Sequence, residues 1–496
     1  MVPVIDWGVS RLGQGDVADP SRHGVTGVDR CCLPAHEAGQ CENLNTKTRK
    51  EREIMSVPPG DPSDRGARAA HLEGSLSPQP ARFRGKRLLF INPPVVCASN
   101  IQVGWYIYAH PTSLLKLARH QQDLGHHVEL IDCMEYVDHG HPRMEFYKKL
   151  PLGAAALNLK RSAYILGRGF DWLRVQLQSA TEPDEIWVSC HITFNAELAH
   201  QAIRLARERF SNTPVVFGGN YPTLFPDDSG RSGATAFVGS VTGADRCYPD
   251  YSLFDRRIDY IIFQLTLGCM NRCGHCLNHR LPRKVVRLYP GEVAARIAQS
   301  RSEHGVRTFV NMDPNTAALG LEPFLEQVVS QDLNIDLYFY GGIQPDRVTR
   351  SLVHLMQRAR VKGFTLPAEL GPKANATLNK SYTEGDFRQA VRLFQEADYD
   401  LSKVHCTFPV GLKYDRRSEI IARVREIVRL GMIVEMAPVA LAPGTPEYDR
   451  HFDALAGKSL EELNWALWPT LDTQDKLFWF ARLMGDKLEG LAERDL

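Results

Sequence analysis

The stretch of sequence that decides the fold is Cys269-Met270-Asn271-Arg272-Cys273-Gly274-His275-Cys276, which follows the apolar run Asp259-Tyr-Ile-Ile-Phe-Gln-Leu-Thr266. A continuous apolar run of this length, bounded by loop residues, predicts a buried strand. The three thiols have the spacing C-x3-C-x2-C, which is short enough for them to converge on one soft metal centre. Three ligands are one fewer than a closed four-ligand site holds, so the loop predicts a metal centre with one open position.

Strands and helices alternate regularly from this apolar run onward. Strand-like runs lie at 259–266, 307–312, 335–340, 362–366, 403–409 and 432–439, and helix-like runs at 290–304, 320–330, 346–358, 383–397 and 416–430. Six such units are fewer than the eight of a complete barrel, so residues 251–446 are predicted to form an open, partial α/β barrel. The cysteine loop would then leave the carboxyl end of the first strand, where barrel enzymes carry their chemistry.

A second alternating pattern, within residues 81–250, precedes the barrel. Strand-like runs lie at 87–91, 127–131, 185–189 and 214–217, and helix-like runs at 113–124 and 196–210. This pattern predicts a doubly wound α/β domain, a parallel sheet with helices on both faces that binds ligands at the carboxyl ends of its strands. The residues expected at that edge are 92–94, Ser189, Thr193, Gly218, Gly219 and Asn220.

The two ends of the chain carry weaker patterns. Residues 1–80 are dominated by Gly, Pro, Ser, Asp, Arg and His without sustained periodicity, which predicts a disordered tail. Residues 447–496 are predicted to form a small helical region, and its aromatic side chains favour packing over ligand binding. Neither end is expected to contribute to the metal centre.

Composition excludes several classes of function. The 496 residues carry a formal net charge of +1, so no global field favours nucleic acid or an anionic membrane as a partner. The chain has no run of 18 apolar residues and does not open on a signal-peptide pattern, which predicts a cytoplasmic protein without a membrane span. In such a chain the 11 cysteines are expected to be reduced thiols and metal ligands.

Other metal centres fit the cysteine spacing less well. The pattern matches neither the paired C-x2-C sets of zinc ribbons nor the four-cysteine sets of ferredoxins. Zinc with His275 as a fourth ligand is the alternative. It is disfavoured because His275 lies between two of the ligating cysteines, where its ring geometry would be strained.

At the cysteine loop the sequence resembles the radical S-adenosylmethionine enzymes. The hallmark of that family is the same three-cysteine spacing at the end of the first strand of a partial (β/α)6 barrel. The resemblance covers about 86–445. It implies that Cys269, Cys273 and Cys276 hold a [4Fe-4S] cluster whose fourth iron is chelated by S-adenosylmethionine. His275 stands where the family often has an aromatic residue.

Further segments resemble the family in the expected order. Asn311, Met312 and Asp313 lie in a loop similar to the one whose backbone meets the methionine amino group. Glu369 follows the fourth strand and looks like a partner of bound S-adenosylmethionine, and Gly411 belongs to a segment that resembles the fifth strand beside the adenine. Residues 442–446, Ala-Pro-Gly-Thr-Pro, resemble the turn that closes the sixth strand, although glycine and proline are also ordinary turn residues.

The domain before the barrel resembles the cobalamin-binding domain of one large subgroup. The matching pieces are Phe90-Ile-Asn-Pro-Pro94, Gly125-His-His-Val-Glu-Leu-Ile-Asp132 and Val216-Phe-Gly-Gly-Asn-Tyr-Pro-Thr223. The D-x-H-x-x-G motif, whose histidine ligates cobalt in many cobalamin proteins, is missing from the sequence. The resemblance therefore implies cobalamin without a histidine lower ligand, or a domain that has lost cobalamin altogether.

The resemblance implies a methyltransferase that acts on an unactivated carbon, or on a phosphinate phosphorus, of a small-molecule or antibiotic-pathway intermediate. An electron donor such as flavodoxin or ferredoxin would reduce the cluster. The alternative function for the same fold is that of a non-methylating enzyme that performs a cyclisation, ring contraction or oxidation. An iron-sulfur electron carrier is the non-enzymatic alternative, which a six-unit barrel around the cysteines disfavours. Methylthiolation of tRNA is also disfavoured, because the chain shows no basic RNA module.

Overall fold

The computed structural model of the chain describes residues 85–97, 110–134, 136–137, 141–142, 144–150, 161–254, 258–282, 285–316, 320–368, 377–463 and 470. The predicted tail at 1–80 and the candidate Glu369 lie outside the described residues, as does most of the predicted C-terminal helical region after residue 463.

Five parallel strands form the first sheet. They are β1 (Arg87–Asn92), β2 (His127–Asp132), β3 (Glu185–Ser189), β4 (Val215–Gly218) and β5 (Thr235–Ala236), in the spatial order β5-β4-β3-β1-β2. The helices that connect them are α1 (Thr112–Asp123), α2 (Phe170–Ser179) and α3 (Ala196–Arg209). The strand order reverses between β1 and β3, and in doubly wound sheets ligands bind at such a reversal. The predicted doubly wound sheet is therefore present.

Both faces of this sheet are buried under helices, because hydrophobic residues occupy successive positions of β1. Leu88 and Phe90 point to one face and pack with Leu114 and Ala118 of α1. On the opposite face, Leu89 and Ile91 of β1 pack with Leu173 of α2 and with Ala202 and Ile203 of α3. A strand that is apolar at every position is typical of parallel sheets covered on both sides.

The insertion between β2 and β3, together with the segment Val95–Cys97 after β1, forms small antiparallel sheets that the sequence did not predict. Val95–Cys97 and Met144–Leu150 pair on either side of Arg161–Leu166, and Tyr136–Val137 pairs with His141–Pro142. These strands are short and carry charged residues, so periodicity gives little signal for them.

The second sheet contains six parallel strands in chain order, as predicted for a partial barrel. They are β6 (Tyr260–Phe263), β7 (Thr308–Asn311), β8 (Asp336–Phe339), β9 (Val361–Pro367), β10 (Val404–Val410) and β11 (Ile433–Pro438). The helices between them are α4 (Pro290–His304), α5 (Leu321–Ser330), α6 (Arg350–Arg358), α7 (Glu384–Glu396) and α8 (Arg417–Arg429), followed by α9 (Pro446–Arg450) and α10 (Phe452–Leu455). Helix α6 begins later than predicted, because Thr349 caps it by accepting a hydrogen bond from the N–H of Leu352.

Alternation along the barrel strands separates an outer face from an inner one. The outer side chains, which pack against the helices, include Ile261, Phe263, Phe309, Leu337 and Phe339. The inner face carries a separate group of side chains: Tyr260, Ile262, Val310, Tyr338 and Tyr340. Burial of one large apolar side chain contributes roughly 1.5–3 kcal/mol, so the outer face supplies most of the barrel's stability.

Helix α1 of the first sheet lies against the first barrel strand. Leu115 belongs to the same hydrophobic cluster as Ile261 and Phe263. His110, just before α1, stacks on the ring of Tyr260 with centroids 4.1 Å apart and planes 12° from parallel. Both sheets belong to one compact unit. None of the described helices has the length and apolar character needed to cross a membrane.

Candidate functional site

The cysteine loop begins from a short ribbon at the carboxyl end of β6. The strand predicted over 259–266 ends at Phe263, and Thr266–Leu267 instead pairs antiparallel with Val286–Arg287. The N–H of Leu288 also donates to the carbonyl of Leu265 at 2.9 Å. The ribbon therefore closes the base of the loop that carries the three cysteines.

Asp313 explains why the strand ends early. Its carboxylate accepts hydrogen bonds from the N–H of Leu265 at 3.0 Å and from the N–H and hydroxyl of Thr266 at 2.8 and 3.0 Å. These two N–H groups therefore cannot donate to a neighbouring strand of the barrel sheet. Asp313 is fully buried, and that burial raises the pKa of its carboxyl to about 7, against the opposing effect of its hydrogen bonds. The side chain of Asp313 thus holds the start of the cysteine loop.

Cys269, Cys273 and Cys276 form no disulfide and are partly exposed. Burial raises the pKa of the Cys276 thiol, and its sulfur accepts a weak hydrogen bond from the N–H of Asn278 at 3.5 Å. Within the described part of the chain, no three His, Cys, Asp or Glu side chains converge as ligands of a single metal ion would. A polynuclear iron-sulfur cluster does not require that convergence, because each thiolate binds a different iron. Three thiols on one short loop fit that donor set.

Two segments, one after β9 and one after β11, brace the loop through hydrogen bonds to its backbone. Leu378 accepts a hydrogen bond on its carbonyl from the N–H of Gly274 at 2.9 Å, and Asn379 donates through Nδ2 to the carbonyl of Arg272 at 3.0 Å. On the other side, the N–H of Glu447 donates to the carbonyl of Gly274 at 3.0 Å. A Cβ added at Gly274 would lie 3.3 Å from the carbonyl oxygen of Thr377, so this position is tightly enclosed.

An ion pair between a buried carboxylate and a half-exposed guanidinium, which the sequence did not reveal, lies under the same loop. Glu447 is fully buried and pairs with the guanidinium of Arg450, which also approaches the carbonyl of Thr377 at 3.4 Å. His451 donates through Nδ1 to the carbonyl of Glu447 at 2.8 Å. The turn after β11 is therefore fixed to the cysteine loop by a backbone hydrogen bond, and the ion pair holds that turn together.

In the loop after β7, a ligand would meet backbone rather than side chains. Two of the three predicted residues, Asn311 and Asp313, use their side chains in hydrogen bonds within the protein. The side-chain oxygen of Asn311 accepts from the N–H of Asp313 at 3.2 Å and from the hydroxyl of Thr316 at 2.9 Å. Met312 is 37% exposed. The prediction of a backbone contact to a ligand is compatible with this arrangement and remains a prediction.

Three loops at the barrel mouth are joined by side-chain amides. Asn315 donates through Nδ2 to Oε1 of Gln344 at 2.6 Å, and Gln344 donates through Nε2 to the hydroxyl of Ser381 at 3.0 Å. These residues follow β7, β8 and β9 respectively. These hydrogen bonds fix the positions of the three loops relative to one another.

Gly411 forms a turn immediately after β10. Its φ of 99° lies in the region that favours glycine, and its N–H donates to Oδ2 of Asp415 at 2.7 Å. The N–H of Leu412 donates to the same oxygen at 2.9 Å. The strand end predicted to approach a ligand is therefore a fixed turn rather than a free loop.

The residues predicted at the edge of the first sheet lie together. Ser189 and Gly218 are register partners at the ends of β3 and β4. Gly219 has a φ of 109°, and a Cβ added there would lie only 2.5 Å from the carbonyl oxygen of Cys190. Asn220 donates through Nδ2 to Nδ1 of His191 at 3.0 Å. Nothing lies within 4 Å of a Cβ added at Gly218, so a ligand can approach the backbone there.

Thr193 occupies the same edge, at the start of a turn that runs to Asn195. Asn195 is buried and accepts a hydrogen bond through Oδ1 from the N–H of Val96 at 3.0 Å. This bond ties the loop after β3 to the loop after β1, on either side of the point where the strand order reverses.

A buried hydrogen-bond network lies behind this edge. His200 is fully buried between the hydroxyls of Ser232 at 2.9 Å and Tyr221 at 3.0 Å, and the Tyr221 hydroxyl donates to Asp228. Burial, together with the charge of Arg231, lowers the pKa of His200 to about 4. The neutral imidazole therefore holds Tyr221, two residues after Gly219, in a single position.

Three further polar side chains face the interior of the barrel. His405 on β10 lies 2.7 Å through Nδ1 from Oε1 of Glu435 on β11, and the hydroxyl of Thr407 donates to Oε2 of the same carboxylate at 2.8 Å. Sequence reasoning passed over them because they lie within predicted strands. The usable signal was polar residues alternating with the buried Cys406 and Phe408.

Comparisons with known proteins identify the fold. No protein-family model matches the chain, and no curated protein sequence does either. The solved structure of TsrM from Kitasatospora setae, a radical S-adenosylmethionine methyltransferase with tryptophan substrate and the analogue aza-SAM bound, matches at 15% identity. It covers 76% of this chain and 77% of that chain, with a TM-score of 0.54. The TsrM structure with cobalamin and a [4Fe-4S] cluster matches at 15% identity over 75% and 76%, with a TM-score of 0.53.

The predicted fold class is confirmed by these matches. A doubly wound parallel sheet precedes an open six-stranded barrel here, and the same overall fold extends over three-quarters of both chains.

Proposed function

We propose that this chain is a cobalamin-dependent radical S-adenosylmethionine methyltransferase that acts on a small molecule. The observation that carries the proposal is the cysteine loop at the carboxyl end of β6, braced by Leu378, Asn379 and Glu447 in a fold similar to that of TsrM. Three thiols on a braced loop, at the end of a barrel strand, are what an iron-sulfur cluster with one open iron requires.

Cys269, Cys273 and Cys276 would hold the cluster, which, with S-adenosylmethionine, supplies radical chemistry at carbons that no side-chain base can activate. The backbone of Asn311, Met312 and Asp313 and the turn at Gly411 line the mouth where S-adenosylmethionine would bind. The protein's part is to orient the reactants and to exclude water. A reduced flavodoxin or ferredoxin would supply the electron.

Cobalamin would bind at the edge of the first sheet, against Ser189, Thr193, Gly218, Gly219 and Asn220. The space in front of Gly218 supports close approach of a large ligand to the backbone. None of these five residues has an imidazole, so none of them would supply a histidine ligand to cobalt.

The test is anaerobic purification with cobalamin supplied, followed by reaction with methyl-labelled S-adenosylmethionine. Because TsrM was solved with tryptophan as its substrate, L-tryptophan is the first acceptor to try, followed by other small ring compounds and phosphinates. We expect a cobalamin spectrum, an iron-sulfur absorbance and a labelled product that Cys273→Ala abolishes. A protein that retains no cobalamin and transfers no methyl group would contradict the proposal.

The second candidate function is that of a non-methylating radical enzyme with the same fold. The observation in its favour is the missing D-x-H-x-x-G motif, which fits a first domain that no longer binds cobalamin. That enzyme would release 5′-deoxyadenosine and convert its substrate without incorporating a labelled methyl group.

A further inference from the structure

A polar cluster occupies the interior of this open barrel, a space that apolar branched side chains fill in a complete eight-stranded barrel. It consists of His405, Glu435 and Thr407, with Tyr340 edge-on to the His405 ring at 5.5 Å and 86°. The side chains of His405 and Glu435 are only 10% and 12% exposed. Burying a carboxylate and an imidazole costs desolvation free energy that their hydrogen bond offsets, and such pairs are concentrated at functional sites.

The hydrogen bonds of this cluster assign the roles of its atoms. Both oxygens of Glu435 are occupied, one by Nδ1 of His405 and the other by the hydroxyl of Thr407. A carboxylate accepts, so the proton of the neutral imidazole lies on Nδ1. Nε2 of His405 is then an acceptor. Among the described residues, no hydrogen bond to Nε2 is found.

The strand register places His405 at the level where the cysteine loop departs. Across the sheet, the last residue of β6 is joined to the first residue of β10 through successive partners: Phe263, Asn311, Phe339, Phe364 and Val404. His405 follows Val404, so it lies one residue beyond the end of β6. Thr407 and Glu435 are register partners two residues further along. The cluster therefore faces the mouth of the barrel from β10 and β11, across from the strand that leads into the cysteines.

Two tyrosines form a flat wall beside the cluster. The rings of Tyr338 and Tyr340 stack with centroids 5.8 Å apart and planes 22° from parallel. Gly363 on the neighbouring strand makes room for them, since a Cβ added there would lie 3.1 Å from Cδ1 of Tyr338 and 3.4 Å from the Tyr340 hydroxyl. Phenol rings favour contact with a flat, largely apolar ring.

We propose that His405 is the substrate-facing base of this barrel, with Glu435 as its positioning residue. The substrate class that fits is a small molecule with a flat ring that carries an N–H or O–H group. This inference rests on the proposed function for the reaction that follows. In the step itself, the N–H or O–H bond of the substrate breaks and its electron pair stays on the substrate atom. The proton bonds to Nε2, and Glu435 stabilises the resulting imidazolium.

The test uses diethyl pyrocarbonate, which acylates unprotonated imidazole nitrogens, followed by peptide mass spectrometry on the full-length protein. Labelling of His405 is expressed relative to His354, an exposed residue of α6 in the same sample. We expect His405 to be acylated in the wild type. Glu435→Gln is expected to lower its relative rate severalfold, because a neutral amide accepts the Nδ1–H hydrogen bond more weakly than a carboxylate and leaves Nε2 a weaker nucleophile. Glu435→Asp should retain most of the rate.

The matched control is Glu419→Gln, which removes an exposed carboxylate from α8 and should leave the ratio unchanged. Thermal unfolding of each variant shows whether it is folded. A folded wild type in which His354 is labelled and His405 is not would overturn the inference. So would a relative rate that Glu435→Gln does not lower.

A second measurement separates this inference from the proposed function. With L-tryptophan as the methyl acceptor, His405→Ala should lower the rate on the order of 10²-fold, and added imidazole should restore part of it. Its cobalamin and iron-sulfur spectra should match those of the wild type. Failure of methyl transfer in the wild type would count against the proposed function alone, because the labelling result does not depend on any cofactor.

Discussion

Asp313 and Thr266 are joined twice: one carboxylate oxygen of Asp313 accepts both the N–H of Thr266 at 2.8 Å and its hydroxyl at 3.0 Å. This pair ends the first barrel strand and starts the segment that carries the cysteines. The loop after the second strand therefore sets the position of the loop after the first.

Asp313→Asn should change the pH dependence of stability. Burial raises the pKa of this carboxyl from 3.8 to about 7 in the folded state, so the folded protein binds a proton that the unfolded chain has lost between those values. Its contribution to stability is fully present below about pH 3.8 and is lost as the pH rises through about 7. The variant should lose this slope. Urea unfolding of both proteins at pH 5 and pH 8 measures it, and an unchanged slope would contradict the assignment.

His200→Gln should act in the opposite direction. Its pKa is lowered from 6.5 to about 4, so the unfolded chain binds a proton that the folded protein excludes. Its contribution is therefore present above about pH 6.5 and lost as the pH falls towards about 4. The variant should be less stable at pH 7 by about 1–3 kcal/mol, because buried partners are left unbonded. It should also lose less stability than the wild type between pH 7 and pH 5. Thermal unfolding at the two pH values decides this.

Gly219→Ala and Gly218→Ala should differ sharply, although the residues are neighbours. At Gly219 a Cβ meets the Cys190 carbonyl at 2.5 Å and the backbone has positive φ, so alanine should cost about 1–3 kcal/mol. At Gly218 nothing lies within 4 Å, so stability should change little while cobalamin binding weakens. Unfolding curves and the cobalamin content of the purified variants test both statements. Equal stability of the two variants would be the contrary result.

Arg450→Met should destabilise the turn under the cysteine loop by about 1–3 kcal/mol, because it removes the half-exposed guanidinium that pairs with the fully buried Glu447 carboxylate. The double variant Glu447→Gln with Arg450→Met should recover much of the loss. Chemical unfolding of the two variants and the wild type gives the comparison. If the single variant is as stable as the wild type, the ion pair contributes nothing to the turn.

The architecture could be predicted from the sequence because it depends on periodicity. Runs such as Leu88–Ile91 and Val404–Val410 are apolar over their whole length or alternate cleanly, and the helices between them have one apolar face. The three cysteines were found because their spacing is local. The limits of β6 were missed because Asp313, which lies 47 residues after Thr266, takes the backbone donors of the predicted strand.

The long-range side-chain pairs could not be predicted in the same way. His405 and Glu435 are 30 residues apart and meet only because β10 and β11 are neighbours in a given register. Glu447 is the third residue after Gly444 in a turn whose residues were singled out, yet its burial under Gly274 depends on how the turn folds back. Such contacts follow from strand order and register, which a single sequence does not specify.

The central claim is that Cys269, Cys273 and Cys276 hold a [4Fe-4S] cluster with one iron open to S-adenosylmethionine. The most direct measurement is the electron paramagnetic resonance spectrum of the reconstituted, dithionite-reduced protein with and without S-adenosylmethionine. We expect a reduced cluster signal that changes when S-adenosylmethionine is added and is lost in Cys276→Ala. A protein that assembles no cluster, or whose signal persists in Cys276→Ala, would contradict it.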